Sequence, residues 1–309
     1  MTGEGTAGRP YIIESVYDFC SIKDDEDKEI TYYQLGKIID FNDHNTYRNG
    51  INANEGFSIV DAPNSVLLGN GKSVRNIVYL SCPYETTQGS VFKFKEVNNV
   101  KFENIVLSVA VESRASASYI SLLSGIFKRC ALYVLSNNAN IRALFQKNDT
   151  ITESSLNFGG TCNNQFVFGL GITISRCNIH FDELSFKQDA NYLFDFHDDI
   201  LTMVCFTGKI NVANLSNELW MFQDCTITNC EFFVEIPGSQ LTGYVGMKHP
   251  WGKPVVINGV NIYSKDLINE GKADYTYVIP NTFALSDSDC RSPEALKSIG
   301  FPVIGGVVG

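Results

Sequence analysis

A small or polar residue recurs through the middle of the chain, followed by apolar residues two and four positions later. At Cys177, within residues 172–181 (ITISRCNIHF), the followers are Ile179 and Phe181. The same arrangement stands at Asn76 (Val78, Leu80), Cys130 (Leu132, Val134), Ser154 (Leu156, Phe158), Gly208 (Ile210, Val212), Cys230 (Phe232, Val234) and Asn258 (Val260, Ile262). Asn104 fits at Val106 and lapses at Ser108. These positions are 22 to 31 residues apart. Apolar residues two apart share one face of a strand, and self-similarity at such a period marks a solenoid.

From residue 57 onward, short β-rich runs (FSIV, SVLLG, NIVYL, VFKF) alternate with Asn, Gly, Ser or Pro, and helical periodicity is absent between them. One period is long enough for three short strands and their corners. The pattern therefore predicts a tail and cap over 1–56, a strand stack over 57–263 and a closing or attachment segment over 264–309. Residues 1–10 are Gly-rich and polar. Alone they are expected to be disordered, with a partner subunit the simplest agent to hold them. The acidic run Asp24 to Asp27 is expected to be a solvated turn, and residues 28–39 fit a helix or a strand. Ser292 and Pro293 are placed to start a short helix ending near Gly300. The longer intervals, 178–207 and 231–257, predict insertions on one face, where repeat proteins carry binding.

The runs NNVKFENIVL, ITISRCNIHF and CTITNCEFF resemble turns of right-handed parallel β-helix proteins of the pectate-lyase-like superfamily, over roughly residues 57–263. The resemblance implies an all-β, right-handed parallel β-helix with Asn, Ser or Cys forming an inward ladder. It does not imply one function, because the fold hosts lyases, glycoside hydrolases, phage tailspikes, adhesins and non-catalytic fibres.

A formal charge of −10, from 34 acidic and 24 basic residues, argues against a nucleic-acid partner. No apolar stretch is long enough to span a membrane as a helix, and the start lacks the pattern of a signal peptide. Nine cysteines without close paired spacing predict reduced thiols, with Cys130, Cys177 and Cys230 as small ladder residues. Together these point to a non-catalytic structural or binding rod of a phage or prophage particle. The expected location is the virion, or a bacterial cytoplasm for a prophage product. The expected partners are other copies of the chain, as a trimer by family implication, other virion proteins, and a surface polysaccharide. No cofactor or metal is expected.

The alternative is a polysaccharide-degrading enzyme. Its candidates are Asp195, His197, Asp198 and Asp199, since paired carboxylates are what glycoside hydrolysis requires. Strand alternation would put Asp195, His197 and Asp199 on one face and Asp198 opposite. Asp198 and Asp199 resemble the adjacent pair of polygalacturonases, but the Gly-His-Gly and Arg-x-Lys partners of that family do not follow. Tyr244, His249 and Trp251 form an aromatic and polar loop suited to stacking on a sugar ring or to a protein interface. His44, His180 and His249 lack metal-ligand spacing. GNGKS at 69–73 lacks the first Gly of a phosphate loop and reads as a turn. NDT at 148–150 and NLS at 214–216 are formal glycosylation sequons to which we give no weight.

Overall fold

A computed structural model describes residues 1–45, 51–52, 59–80, 90–108, 121–141, 144–187, 192–212, 218–223, 225–235, 243–248, 256–258, 261–263 and 282–283. The protein is a parallel β-solenoid. Every strand pairing among the described residues is parallel and joins one turn to the next. One face stacks Tyr11–Ile13, Thr31–Leu35, Val60–Leu68, Ser90–Asn98, Ser121–Lys128, Thr150–Thr152, the start of Thr173–Phe186, the start of Ile200–Val212, Thr226–Thr228 and Val256–Asn258. A second runs from Ile39–Asp40 through Ser73–Leu80, Lys101–Ser108, Ala131–Ile141, Ser155–Leu170 and the later parts of Thr173–Phe186 and Ile200–Val212 to Glu231–Glu235. The third includes the end of Ser155–Leu170, then Tyr192–His197, Glu218–Gln223 and Gly243–Lys248. The stack thus starts at residue 11, well before the start at 57 that the periodicity suggests.

Inward side chains fill the space between the faces. Phe158, Phe166, Phe168, Phe181, Phe194, Phe196 and Phe206 are all buried at the centre, with ring centroids of 4.8 Å for Phe181–Phe194 and 5.0 Å for the stacked Phe168–Phe196 pair. Such aromatic packing adds to the burial of Ile, Val and Leu around it.

The corner between the first and second faces repeats one backbone feature. Asn99, Arg129, Glu153, Arg176, Met203 and Asn229 all take a left-handed conformation, with φ between 52° and 56°. The residue after each faces inward: Val100, Cys130, Ser154, Cys177, Val204 and Cys230 are all buried. The bend leaves the carbonyl two residues back near the inward side chain. Ser154 Oγ donates to Thr152 O at 2.8 Å, Cys130 Sγ to Lys128 O at 3.3 Å, Cys177 Sγ to Ser175 O at 3.2 Å and Cys230 Sγ to Thr228 O at 3.4 Å. Small size and a donor explain the Cys and Ser. Val100 and Val204 show that size alone is sufficient.

Four of the recurring positions, Gly208, Asn258, Asn76 and Asn104, therefore need correcting, Asn258 because it opposes Thr228, two residues short of the place of Cys230. Gly208 is not on this ladder: Val204 pairs with Cys177, and Gly208 opposes Phe181. The pattern matched Gly208 because strand alternation carries on past Val204. Counted from Val204, the long interval disappears, and residues 178–207 are regular wall, except that 188–191 lie outside the described residues. Asn76 and Asn104 form a separate ladder. Asn104 Nδ2 donates to Asn76 Oδ1 and Asn76 Nδ2 to Asp40 Oδ1, each at 2.7 Å, while Arg75 Nε donates to Asp40 Oδ2 at 2.8 Å.

The first ten residues are held by the chain itself. Thr2 makes an antiparallel bridge to Ile12, Ile12 N donates to Thr2 O at 2.7 Å, and Tyr32 N donates to Gly5 O at 3.0 Å. Gly3 and Gly5 take positive φ to make this hook. The helix Val16–Cys20 follows, its N-terminus capped by Ser15 Oγ accepting from Asp18 N at 3.0 Å. Phe19 inserts from it against Phe41 and Phe92, plugging the end of the core. Asp24 is part of this closure rather than a solvated turn: it accepts from Asn64 N at 3.1 Å and Ser65 Oγ at 2.7 Å. Residues 31–35 are strand. At 69–73, Asn70 and Gly71 make the left-handed turn read from the sequence. The proposed segment 292–300 lies outside the described residues.

Truncation of Phe181 to Ala is expected to cost about 3–5 kcal/mol. Cys177→Val, which copies Val204, is expected to cost less than about 1.5 kcal/mol. Equilibrium denaturant unfolding measures both, and equal losses would contradict the ladder as described.

Candidate functional site

The acidic segment singled out by the sequence lies where the third face turns into the first. Phe194 and Phe196, on strand Tyr192–His197, point into the core. Asp195 stands between them, in register with Val167 and Met221, and its side chain lies outside the described residues. His197 pairs in register with Leu170 and Gln223 and is partly exposed. Its Nε2 is 3.7 Å from Asp198 Oδ2.

Asp198 breaks the expected alternation. It adopts φ 57°, and a left-handed residue reverses the period-two order of side chains. Asp199 consequently faces inward, where it has no exposed surface. Its Oδ1 accepts from Ile172 N at 2.9 Å and its Oδ2 from His197 N at 3.0 Å, while Thr226 N donates to its main-chain oxygen at 2.9 Å. The structure thus brings His197 and Asp198 together at the surface and turns Asp199 into the wall. Asp198 and Asp199 do not present two carboxylates to one groove, the arrangement that two-carboxylate glycoside hydrolysis needs.

The same corner holds a residue that sequence reasoning missed. Asp149 is buried, and its Oδ1 accepts from Gly125 N at 2.8 Å and Ser124 Oγ at 3.3 Å, its Oδ2 from Gln146 N at 2.7 Å. Asn148 before it takes φ 70°, as Asp198 does before Asp199. Its signal was present in the text of the chain: NDTIT at 148–152 repeats in DDILT at 198–202, with Asn and Asp both tolerant of the left-handed turn.

The outward positions next to this corner carry no charge over four turns. Thr150, Thr173, Ile200 and Thr226 stand in register, as do Thr152, Ser175, Thr202 and Thr228. All are at least partly exposed, Ile200 by 45%. At the edge of this face Arg176 pairs with Glu153 across one turn at 2.7 Å. On the second face, His180 Nδ1 meets Thr207 Oγ1 at 2.9 Å.

The cysteines among the described residues are free thiols. Burial pushes Cys130 up to about 11 and Cys177 and Cys162 up to about 12, which leaves them poor nucleophiles at neutral pH. Among the described residues, no group of three or more His, Cys, Asp or Glu is placed to hold a metal, and no helix is long and apolar enough to cross a membrane. Tyr244 lies on strand Gly243–Lys248 with its side chain outside the described residues, and His249 and Trp251 lie outside them altogether. No protein-family model matches the chain, and comparison with curated proteins finds no match either.

Replacing Asp199 by Ala strands two buried N–H groups, each a loss of about 1–3 kcal/mol. Asp198→Asn keeps a residue that accepts the left-handed turn and is expected to change stability by no more than about 0.5 kcal/mol. Denaturant unfolding of both variants checks this, and a larger loss for Asp198→Asn would refute the assignment.

Proposed function

We propose that the protein is a structural or binding rod of a phage or prophage particle, assembled from several copies of the chain, with other virion proteins or a host surface polysaccharide as its further partners. The observation that carries this reading is the pairing of an uncharged, regular Thr and Ser face with an acidic cluster whose deepest carboxylate is built into the wall. A chain of net charge −10 repels its own copies. Four turns whose outward Thr, Ser and Ile positions carry no carboxylate are where copies can approach, and Ile200 adds exposed apolar surface there. Three such flat faces packed about an axis give the trimer that the resemblance to right-handed β-helix fibres implies. A right-handed coil also follows the usual hand of parallel crossovers.

The competing reading is a polysaccharide-degrading enzyme that uses Asp198 and His197 at the surface, with Asp195 beside them. Glycan binding without cleavage is expected of the rod.

Light scattering of the full chain is expected to give a trimer. The double substitution Thr173→Arg with Thr202→Arg is expected to give a folded monomer, because it sets positive charges against their symmetry mates. A monomeric parent chain would sink the assembly. In parallel, incubation with a panel of surface polysaccharides is expected to release no new chain ends. Release that disappears in Asp198→Asn would replace the rod with the enzyme.

A further inference from the structure

The first turn of a parallel stack has no turn beneath it, so its outer edge offers main-chain N–H and C=O groups to any strand that can reach them. On the second face that edge is short, since strand Ile39–Asp40 has two residues and runs into the 3-10 turn Phe41–Asp43. On the first face it is longer, because Tyr11–Ile13 pairs with only part of Thr31–Leu35 and leaves Thr31 and Tyr32 beyond its start. Ile12 N and Tyr32 N point away from the stack on this edge, and the N-terminal hook takes both. Thr2 O accepts from Ile12 N at 2.7 Å, and Gly5 O accepts from Tyr32 N at 3.0 Å.

From Thr2 to Arg9 every residue but Gly5 is exposed, so the hook adds little to the core. Its backbone is nevertheless closely fitted. Gly3 takes φ 117° and Gly5 φ 68°; a Cβ on Gly3 would lie 2.1 Å from Pro10 O, and one on Gly5 2.4 Å from the Tyr11 ring. Glu4 N donates to Arg9 O at 2.9 Å and Arg9 N to Thr6 O at 3.2 Å, and the Arg9–Glu4 ion pair closes the same bend. A segment that buries almost nothing is thus shaped to set two main-chain oxygens on an open edge. Thr2 meets Ile12 in the antiparallel sense, unlike the strand pairings of the stack, so an antiparallel strand fits this edge. A second copy of the chain carries one, its own Tyr11–Ile13.

We propose that the hook of residues 2–9 is an edge guard, which keeps the first turn of one chain from joining the first turn of a second copy head to head. In the joined form Ile12 N donates to Ile12 O of the mate and the reverse, a hydrogen-bonded antiparallel pair about a two-fold axis. The Tyr11 ring, which packs against Tyr33 at 5.5 Å and is covered by Gly5, is uncovered with the edge when the hook leaves. Because the hook belongs to the same chain, it meets the edge at a high effective concentration and outcompetes the second copy. The guard governs contacts along the rod axis and does not depend on the side-by-side trimer proposed above.

The full chain carrying Gly3→Val with Gly5→Val tests the guard. Amide exchange is expected to quicken at Ile12 and Tyr32, and light scattering to give about twice the parent's mass, whatever mass the parent has. Adding Ile12→Pro, which deletes the outward donor and keeps the pairing with Thr31–Leu35, is expected to restore the parent's mass. The parent's mass with Ile12 and Tyr32 unprotected overturns the proposal. Growth that survives Ile12→Pro, or exchange that stays slow at both amides, overturns it equally. Should the double variant fail to fold, Gly5→Ala, whose Cβ meets the movable ring of Tyr11, is read by the same outcomes.

Discussion

The structure depends on one backbone constraint, a left-handed residue placed at the same height in successive turns. Parallel strands share hydrogen bonds with both neighbours, so each turn must follow the path of the one beneath it. The corner at Arg129, Glu153, Arg176 and Met203 shows how strict this is, since none of these residues is a natural choice for positive φ. Each costs about 1–2 kcal/mol there. The main-chain ladder and the buried aromatic column offset that cost, and a turn that bent elsewhere would break its bonds on both sides.

The side chain that follows the bend inherits its identity from this geometry. It has a small volume to fill and an inward carbonyl within reach. Cys130, Ser154, Cys177 and Cys230 fill it with a donor, and Val204 fills it without one. The thiols of Cys130 and Cys177, with acidity suppressed by burial, belong to packing and not to chemistry. Ser154 Oγ also accepts from Cys130 N at 3.1 Å, and Asp149 and Asp199 do the same at another corner on a larger scale, capping main-chain N–H groups that the bend would otherwise leave facing a dry interior. The ion pairs outside, such as Arg176 with Glu153 and Lys209 with Glu183, also bridge turns. Being exposed, they add little to stability.

Reactive-looking residues are therefore poor guides in this fold unless their direction is known. Asp198 and Asp199 are neighbours in the chain and lie on opposite sides of the wall. His197 and Asp198 stay at the surface, next to a face of Thr and Ser without charge. Side chains on that face stand at fixed intervals in two directions, along the strand and up the stack, which makes a flat and regular surface for packing.

The parallel stack was legible from the chain alone, because apolar residues two apart recur at a nearly constant period and each buried position repeats its demand for volume. The inertness of Cys130, Cys177 and Cys230 followed from the same repetition. The directions of Asp149 and Asp199 were not legible, although NDTIT and DDILT repeat, because a left-handed bend is a property of the backbone that residues as different as Asp, Arg and Met can occupy. The self-held N-terminal hook was hidden for a related reason: Thr2, Gly5, Ile12 and Tyr32 carry no pattern, and they meet through main-chain atoms. Sequence periodicity determined that turns would stack. Contacts between turns, joining residues some two dozen positions apart, decided which side chains face the core and which face outward.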